Sequence, residues 1–369
     1  MEKETFNFFP FQWSFEDETN DEGIMVNIIR AYGWNEKNES VYCCINNFHP
    51  FIWIELPTEI EWTESKINIL VGILKSINKA KGGAPTKISV VNRKKLYYAH
   101  IEQVVNKNGE KVYRDKRFPF LEVYFNSTTA MNQFVFGLKR GIHHASFPKG
   151  MKLNHYVHDK SATPIIKLFA LQNLPSSNWI KVSGLIVPDD EKESTRKREY
   201  IVSYKDMKAL SQEESIKLPI VYPSVLSFDI EVYSSVETAM PKFERPKDVV
   251  FMVGATLIKY AENAEKRITK YLLYITPNNK FTIKQPKSDE LENKDNCEIV
   301  YRQYRCEGDL YVGFTELIKE VDADVLIGYN IFGFDISYMF YRAQKQLRCL
   351  SEFDRMGCIF GKHSELKDI

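Results

Sequence analysis

The sequence predicts two successive domains of mixed composition, an α+β domain followed by an α/β domain, and three observations predict it. The chain has 369 residues, enough for two or three hydrophobic cores at roughly 150 residues per domain. Its apolar pattern switches repeatedly between period two and period 3.6, so strands and helices both occur in each half. Between the halves, Leu218-Pro219-Ile220-Val221-Tyr222-Pro223 places two prolines in six residues, which favours an extended linker.

In the first half, Val41 to Ile45 and Phe51 to Leu56 are β-branched and aromatic runs joined by the turn-rich Asn46-Asn47-Phe48-His49-Pro50, the pattern of a hairpin. From Thr63, a fitting N-cap, apolar residues recur at Ile67, Leu70, Val71, Leu74 and Ile77 up to Gly82-Gly83, which predicts an amphipathic helix. Lys87 to His100 and Phe118 to Phe125 return to strand character. A second helix opens near Asn126-Ser127, presents Met131, Phe134, Val135 and Leu138, and ends at Lys139-Arg140 before Gly141, as helix-dipole and C-cap preferences favour. This order is that of a split βαβ sandwich, a ferredoxin or RNA-recognition-like N-terminal domain.

The charge-dense stretch Pro188 to Arg198 reads as a solvated loop. Beyond the linker, Val225 to Val232, Val249 to Ile258 and Ile268 to Ile275 read as strands, and Pro277 to Asn296 as an exposed polar insertion. Leu310 to Val321 is helical, Val325 to Gly328 a short buried strand, and Asp335 to Leu347 a helix, so this half is an α/β sheet with crossover helices.

Composition narrows the function classes. With 50 Lys+Arg against 49 Asp+Glu and 44% apolar residues, the chain is neither disordered nor strongly basic. Its longest apolar run, Val249 to Ile258, falls well short of the ~20 residues a membrane-spanning helix needs. The polar start Met1-Glu2-Lys3-Glu4-Thr5 lacks the features of a secretory signal. The six cysteines show no C-x-x-C spacing, so an intracellular, reducing location is expected, with neither a zinc site nor a disulfide framework. The best candidate for a phosphate-contacting patch is Lys75, Lys79, Lys81, Lys87, Arg93, Lys94 and Lys95, which reads equally well as an ordinary solvated helix end and hairpin.

The chemistry-bearing residues begin with Asp229 and Glu231 in Leu226-Ser227-Phe228-Asp229-Ile230-Glu231-Val232. Two apart on a strand, both carboxylates project from one face, while Phe228, Ile230 and Val232 face the other. Acids so arranged repel unless protonated or bridged by hard cations such as Mg²⁺; alone, they also fit an edge strand with solvated acids. Asp335 follows the strand and Gly-containing turn of Asp324 to Phe334 and opens a helix, where α/β folds gather their active sites. It equally suits a purely structural N-cap. Tyr338 and Arg342 share its helical face, to line a cleft or to cover the sheet.

Together these segments resemble the first two exonuclease motifs of family B DNA polymerases. The first is an Asp-x-Glu on a strand, here Asp229-Ile230-Glu231; the second is Tyr-Asn, three residues, then Phe-Asp, here Tyr329-Asn330 through Phe334-Asp335. Asn47 to Ile54, Phe118 to Leu121 and Ser177 to Ile180 are similar to segments of delta-type and large-DNA-virus polymerases, so the resemblance runs from about residue 24 to 347. It implies a ribonuclease-H-like 3′–5′ exonuclease domain, two-metal hydrolysis with Mg²⁺ or Mn²⁺, and Asp229, Glu231 and Asp335 as metal-binding carboxylates. It also implies that Asn330, Phe334 and Tyr338 contact the single-stranded 3′ end of a DNA primer-template, with the Phe334 ring stacking on an unpaired base. Further implied partners are the remainder of a polymerase and a processivity factor, at a nuclear or cytoplasmic viral replication site.

The family's third motif, a Tyr with an Asp four residues on, has no counterpart after Asp335, nor do the polymerase palm motifs. The expectation is therefore an N-terminal domain over residues 1–218 and an exonuclease domain over 219–369 truncated before its third motif, from a longer polymerase or a split gene. A free-standing nuclease and a non-catalytic nucleic-acid-binding or docking module are the alternatives.

Overall fold

The computed structural model describes residues 2–78, 80–95, 101–260, 265–276 and 297–366. Two compact units result. The first comprises Met1–Glu36, Val41–Val187 and Glu199–Leu218; the second comprises Lys37–Ser40, Pro188–Arg198 and Pro219–Ile369. Both are built from mixed α and β elements. Among the described residues no helix is long and apolar enough to cross a membrane.

The first unit opens with β1 (Lys3–Thr19), β2 (Met25–Asn35), β3 (Ser40–Ile45) and β4 (Phe51–Glu55), then α1 (Glu64–Lys75), β5 (Lys87–Arg93), β6 (Ile101–Val105), β7 (Lys111–Asp115) and β8 (Phe118–Tyr124). It continues with α2 (Thr128–Gly137), β9 (Val157–His158), α3 (Pro164–Gln172), β10 (Ile180–Ile186), β11 (Arg198–Ala209) and the single turn α4 (Gln212–Ser215). The strands β5-β8-β4-β9 form one antiparallel sheet in that order. Helices α1 and α2 bury Leu70, Leu74, Met131 and Phe134 against Ile52, Ile54, Leu121 and Val123 of that sheet. Thr63 caps α1 by accepting from the Lys66 amide, and Ser127 caps α2 by accepting from Ala130, as the spacing predicts. Helix α1 ends earlier than the glycine pair, at Lys75 with Ser76 as its cap.

The sequence expectation omitted a second structure in this unit. Strands β1, β10, β11, β3 and β2 close into a five-stranded barrel around Phe6, Phe8, Ile29, Val41, Ile180, Val182 and Val202. Its closure pairs Lys3 with Leu185, a partner far along the chain that local periodicity cannot reveal. Pro10, which lacks an amide hydrogen, lies at the irregularity of β1 between Pro10 and Gln12.

Three of the seven residues of the basic patch read from the sequence pair with acids. Lys94 pairs with Asp115, Lys95 with Glu55, and Arg93 lies 3.5 Å from Glu122, while Lys81 donates to the Glu22 carbonyl. Lys79 lies outside the described residues, as do the last residues of the Lys87 to His100 run and the insertion Pro277 to Asn296.

In the second unit, β12 (Val225–Val232), β13 (Val250–Tyr260), β14 (Lys266–Ile275), β15 (Glu298–Tyr304) and β16 (Val325–Ile327) form one sheet in the order β15-β14-β13-β12-β16. Helix α5 (Glu307–Val321) covers one face, burying Leu310, Phe314 and Leu317 against Phe228, Ile230 and Val253. Helix α6 (Asp335–Arg342) continues into a wider π-helical turn, Ala343–Leu347, and the short α7 (Leu350–Phe353) adds Phe353 to the core.

Pro188–Arg198 corrects the reading of a solvated loop. Arg196 is 4% exposed and pairs with Asp324 at 3.0 Å and Asp322 at 3.5 Å, while Thr195 Oγ1 donates to Asp322 at 2.7 Å. Asp324 also accepts from the Ser224 amide and hydroxyl, both at 2.8 Å, which fixes the start of β12 beside the start of β16. A charge run reads as solvated only while its partners are unknown, and these lie 128 and 127 positions away from Arg196 and Thr195 respectively.

Candidate active site

Strand β12 alternates as its sequence dictates. Leu226, Phe228 and Ile230 are buried, whereas Asp229 and Glu231 are exposed on the opposite face. Directly across from Asp229 on β13 stands Gly254, where an added Cβ would meet nothing within 4 Å, so the sheet face beside the carboxylate is open.

On its other edge β12 pairs with β16 only through Val225, Leu226 and Ser227. There β16 gives way to Gly328, whose missing side chain allows close approach: a Cβ would lie 2.6 Å from the Phe228 carbonyl oxygen. The chain turns through Tyr329, Asn330, Ile331, Phe332, Gly333 and Phe334, with Asn330 in the left-handed region at φ 52°. It returns to β12 at Asp335, whose Oδ1 accepts from the Ile230 amide at 3.2 Å. The carboxylate thus occupies the edge position that β16 vacates.

This return brings Asp335 to Asp229. Asp335 is buried, and its pKa is raised first by that burial, then by the neighbouring Asp229 carboxylate; bonds from its own amide and that of Ile230 act in the opposite direction. Asp335 also opens α6, where the positive end of the helix dipole favours a negative charge. Glu231 shares the strand face of Asp229 without joining this pair: among the described residues no three His, Cys, Asp or Glu side chains gather as a metal site. Two acids held together with an open face beside them fit a divalent cation, since each supplies hard oxygen ligands and a cation would relieve their mutual repulsion.

The remaining sequence-predicted residues divide. Asn330 is exposed in the turn and Phe334 is half-buried, its ring 5.4 Å from that of Tyr338. Tyr338 is buried, and its hydroxyl donates to the Asp248 carbonyl at 2.7 Å. Its helical face turns into the core because Met339 and Arg342 also bury there. Arg342 is buried in an ion pair with Glu307 and donates to the carbonyls of Phe243, Arg245 and Pro246.

Sequence reasoning missed the group that organises the loop after Glu231. The Asp248 carboxylate accepts from the Ser235 amide at 2.8 Å, the Ser235 hydroxyl at 2.5 Å and the Lys242 amide at 2.8 Å, and lies 3.0 Å from the Arg245 guanidinium. Burial alone would raise its pKa, but these partners hold it at about 2. Because the folded value lies below the ordinary 3.8, the stability Asp248 contributes is present above pH 3.8 and lost as pH falls towards 2. Acid unfolding of Asp248→Asn is therefore expected to lose part of the wild-type slope between those values, as circular dichroism would record. Only an Asp in a Pro-Lys-Asp turn signalled this site in the sequence.

Residues 157–367 match the family described as DNA polymerase family B, exonuclease domain. DNA polymerase 120R of Invertebrate iridescent virus 3 is 30% identical over 343 residues, covering 91% of this chain and 27% of that protein. DNA polymerase 037L of Invertebrate iridescent virus 6 is 27% identical over 393 residues, covering 100% of this chain and 28% of that protein. The chain therefore spans little more than a quarter of the length of these viral relatives. The solved family B DNA polymerase from the archaeon Pyrobaculum calidifontis shares the fold, with a TM-score of 0.56 at 17% identity over 96% of this chain and 34% of that one. With more than half of its length matched to the family and its fold shared along nearly all of it, the chain belongs to DNA polymerase family B.

Proposed function

We propose that this chain carries the N-terminal and proofreading parts of a replicative family B DNA polymerase, with a site that removes nucleotides from the 3′ end of a DNA strand. The observation that carries the reading is the junction of Asp229 and Asp335, two carboxylates from separate motifs that meet where Asp335 accepts from the Ile230 amide. In this reading the first unit supplies a ferredoxin-like N-terminal domain, essentially within residues 1–218, and residues 219–369 supply a ribonuclease-H-like exonuclease domain. Asp229, Glu231 and Asp335 would hold two Mg²⁺ or Mn²⁺ ions. Bound there, such ions polarise the scissile phosphodiester and ease ionisation of the attacking water.

The residues of the chain do the rest. The Ile230 amide orients the Asp335 carboxylate and Gly328 brings the turn against β12; Asn330 and Phe334 would help hold the 3′ end, the Phe334 ring by stacking on an unpaired base. A mismatched primer end unpairs more readily and reaches a single-strand site more often, which makes the same hydrolysis an editing step. The proposed partners are a DNA primer-template, the other polymerase domains and a processivity factor, at a nuclear or cytoplasmic viral replication site.

The test is Mg²⁺- or Mn²⁺-dependent release of nucleotides from a 3′-mismatched primer by the purified chain. Any metal-dependent release by the chain is expected to be lost in Asp229→Ala with Glu231→Ala. Equal release by wild type and the double variant would overturn it.

A further inference from the structure

The ladder between β12 and β13 does not run evenly past the acids. Asp229 faces Gly254 and Glu231 faces Met252, but the next residue, Val232, faces Val250. Phe251 is therefore one residue too many, a β-bulge set directly beside Glu231. A bulge breaks the ladder, bends the strand and re-aims the side chains around it. This one lies at the candidate acid that does not join the pair of Asp229 and Asp335.

The far side of the bulge is fixed from the core. The buried Val250 amide donates to Glu307 Oε1 at 2.9 Å, and Glu307 is held in turn by Arg342, whose Nη2 donates to Oε2 at 2.8 Å. Pairing resumes beyond the bulge, where the Tyr233 amide donates to the Val249 carbonyl at 2.9 Å. Arg342 also donates to the carbonyls of Phe243, Arg245 and Pro246, and Tyr338 to that of Asp248, all in the loop between Glu231 and Val250. Both residues ride on α6, whose first residue is Asp335. The helix that presents one acid thus grips the loop that follows another. Stability alone does not call for this ion pair, because apolar residues of similar volume often serve a core as well. What they cannot supply is an acceptor for the Val250 amide.

We infer that the Glu307–Arg342 pair holds the bulge at Phe251 and through it sets the place of the Glu231 carboxylate as the third acid of the cation site. Glu307 and Arg342 are positioning residues; they act through the backbone of β13. This rests on the reading of Asp229, Glu231 and Asp335 as one cation site.

The test follows Mn²⁺ binding to the full 369-residue chain by electron paramagnetic resonance in two backgrounds. Glu307→Gln with Arg342→Met keeps an acceptor for the Val250 amide; Glu307→Met with Arg342→Met removes it, and neither strands a buried charge. The second background is expected to bind Mn²⁺ about 10- to 100-fold more weakly than the first, the range for residues that orient ligands. Adding Glu231→Gln should weaken binding in the first and change nothing in the second, where Glu231 is already displaced. Deleting Phe251 from the otherwise wild-type chain leaves the ion pair in place and is expected to silence Glu231→Gln in the same way. A Glu231→Gln that costs the same affinity in every background, or none in wild type, would overturn the proposal while leaving the site of Asp229 and Asp335 in place. A wild-type chain that binds no Mn²⁺ would overturn both.

Discussion

Replacing Arg342 by methionine is expected to destabilise the second unit by about 3–5 kcal/mol, the range for breaking a buried ion pair from one side. Arg342 is 2% exposed, and its Nε and Nη2 donate to Glu307 at 2.5 and 2.8 Å. Its remaining hydrogens serve the carbonyls of Phe243, Arg245 and Pro246 at 3.4, 3.0 and 3.1 Å. Removal leaves an uncompensated carboxylate in the core and three carbonyls without their donor. Glu307 keeps one bond, from the Val250 amide at 2.9 Å, which is too little to hold a buried charge. Urea denaturation would measure the loss, and adding Glu307→Gln should recover part of it, because the two residues share one interaction. A loss below about 1 kcal/mol would place the pair among surface bridges. Cleavage should also fall, since Arg342 anchors the loop that follows Glu231.

The second large effect separates chemistry from stability. Asp335→Asn is expected to lower nucleotide release on the order of 10²–10³-fold, the consequence of withdrawing a few kcal/mol of charge stabilisation from the transition state. Its unfolding midpoint should stay level or rise. The asparagine oxygen can still accept from the Ile230 amide, and the repulsion between Asp335 and Asp229 disappears. Loss of a charge that destabilises the fold while serving the reaction is the usual stability–activity trade-off. Parallel loss of stability and activity would instead make Asp335 a structural cap.

How much of this was legible in the sequence follows from the range of each interaction. The alternation that exposes Asp229 and Glu231 is local to eight residues, so period two was enough. The caps at Thr63 and Ser127 lie within three residues of the amides they satisfy and were equally readable. The junction of Asp229 with Asp335 spans more than a hundred positions, and only the resemblance of the two motifs to one family linked them. What local pattern hides is long-range pairing: the barrel closure of Lys3 with Leu185 and the Arg196 clamp on Asp322 and Asp324. The surroundings of Tyr338 are hidden for a related reason. Helical spacing put it on the face of Asp335, but whether that face meets ligand or core depends on Asp248, ninety positions earlier.

The central claim is that Asp229 and Asp335 form one divalent-cation site, and Mn²⁺ titration tests it most directly. Followed by electron paramagnetic resonance, Mn²⁺ should bind the wild-type chain saturably, and Asp229→Asn and Asp335→Asn should each lose that binding while keeping wild-type circular dichroism. Mn²⁺ binding that survives unchanged in both variants would contradict it.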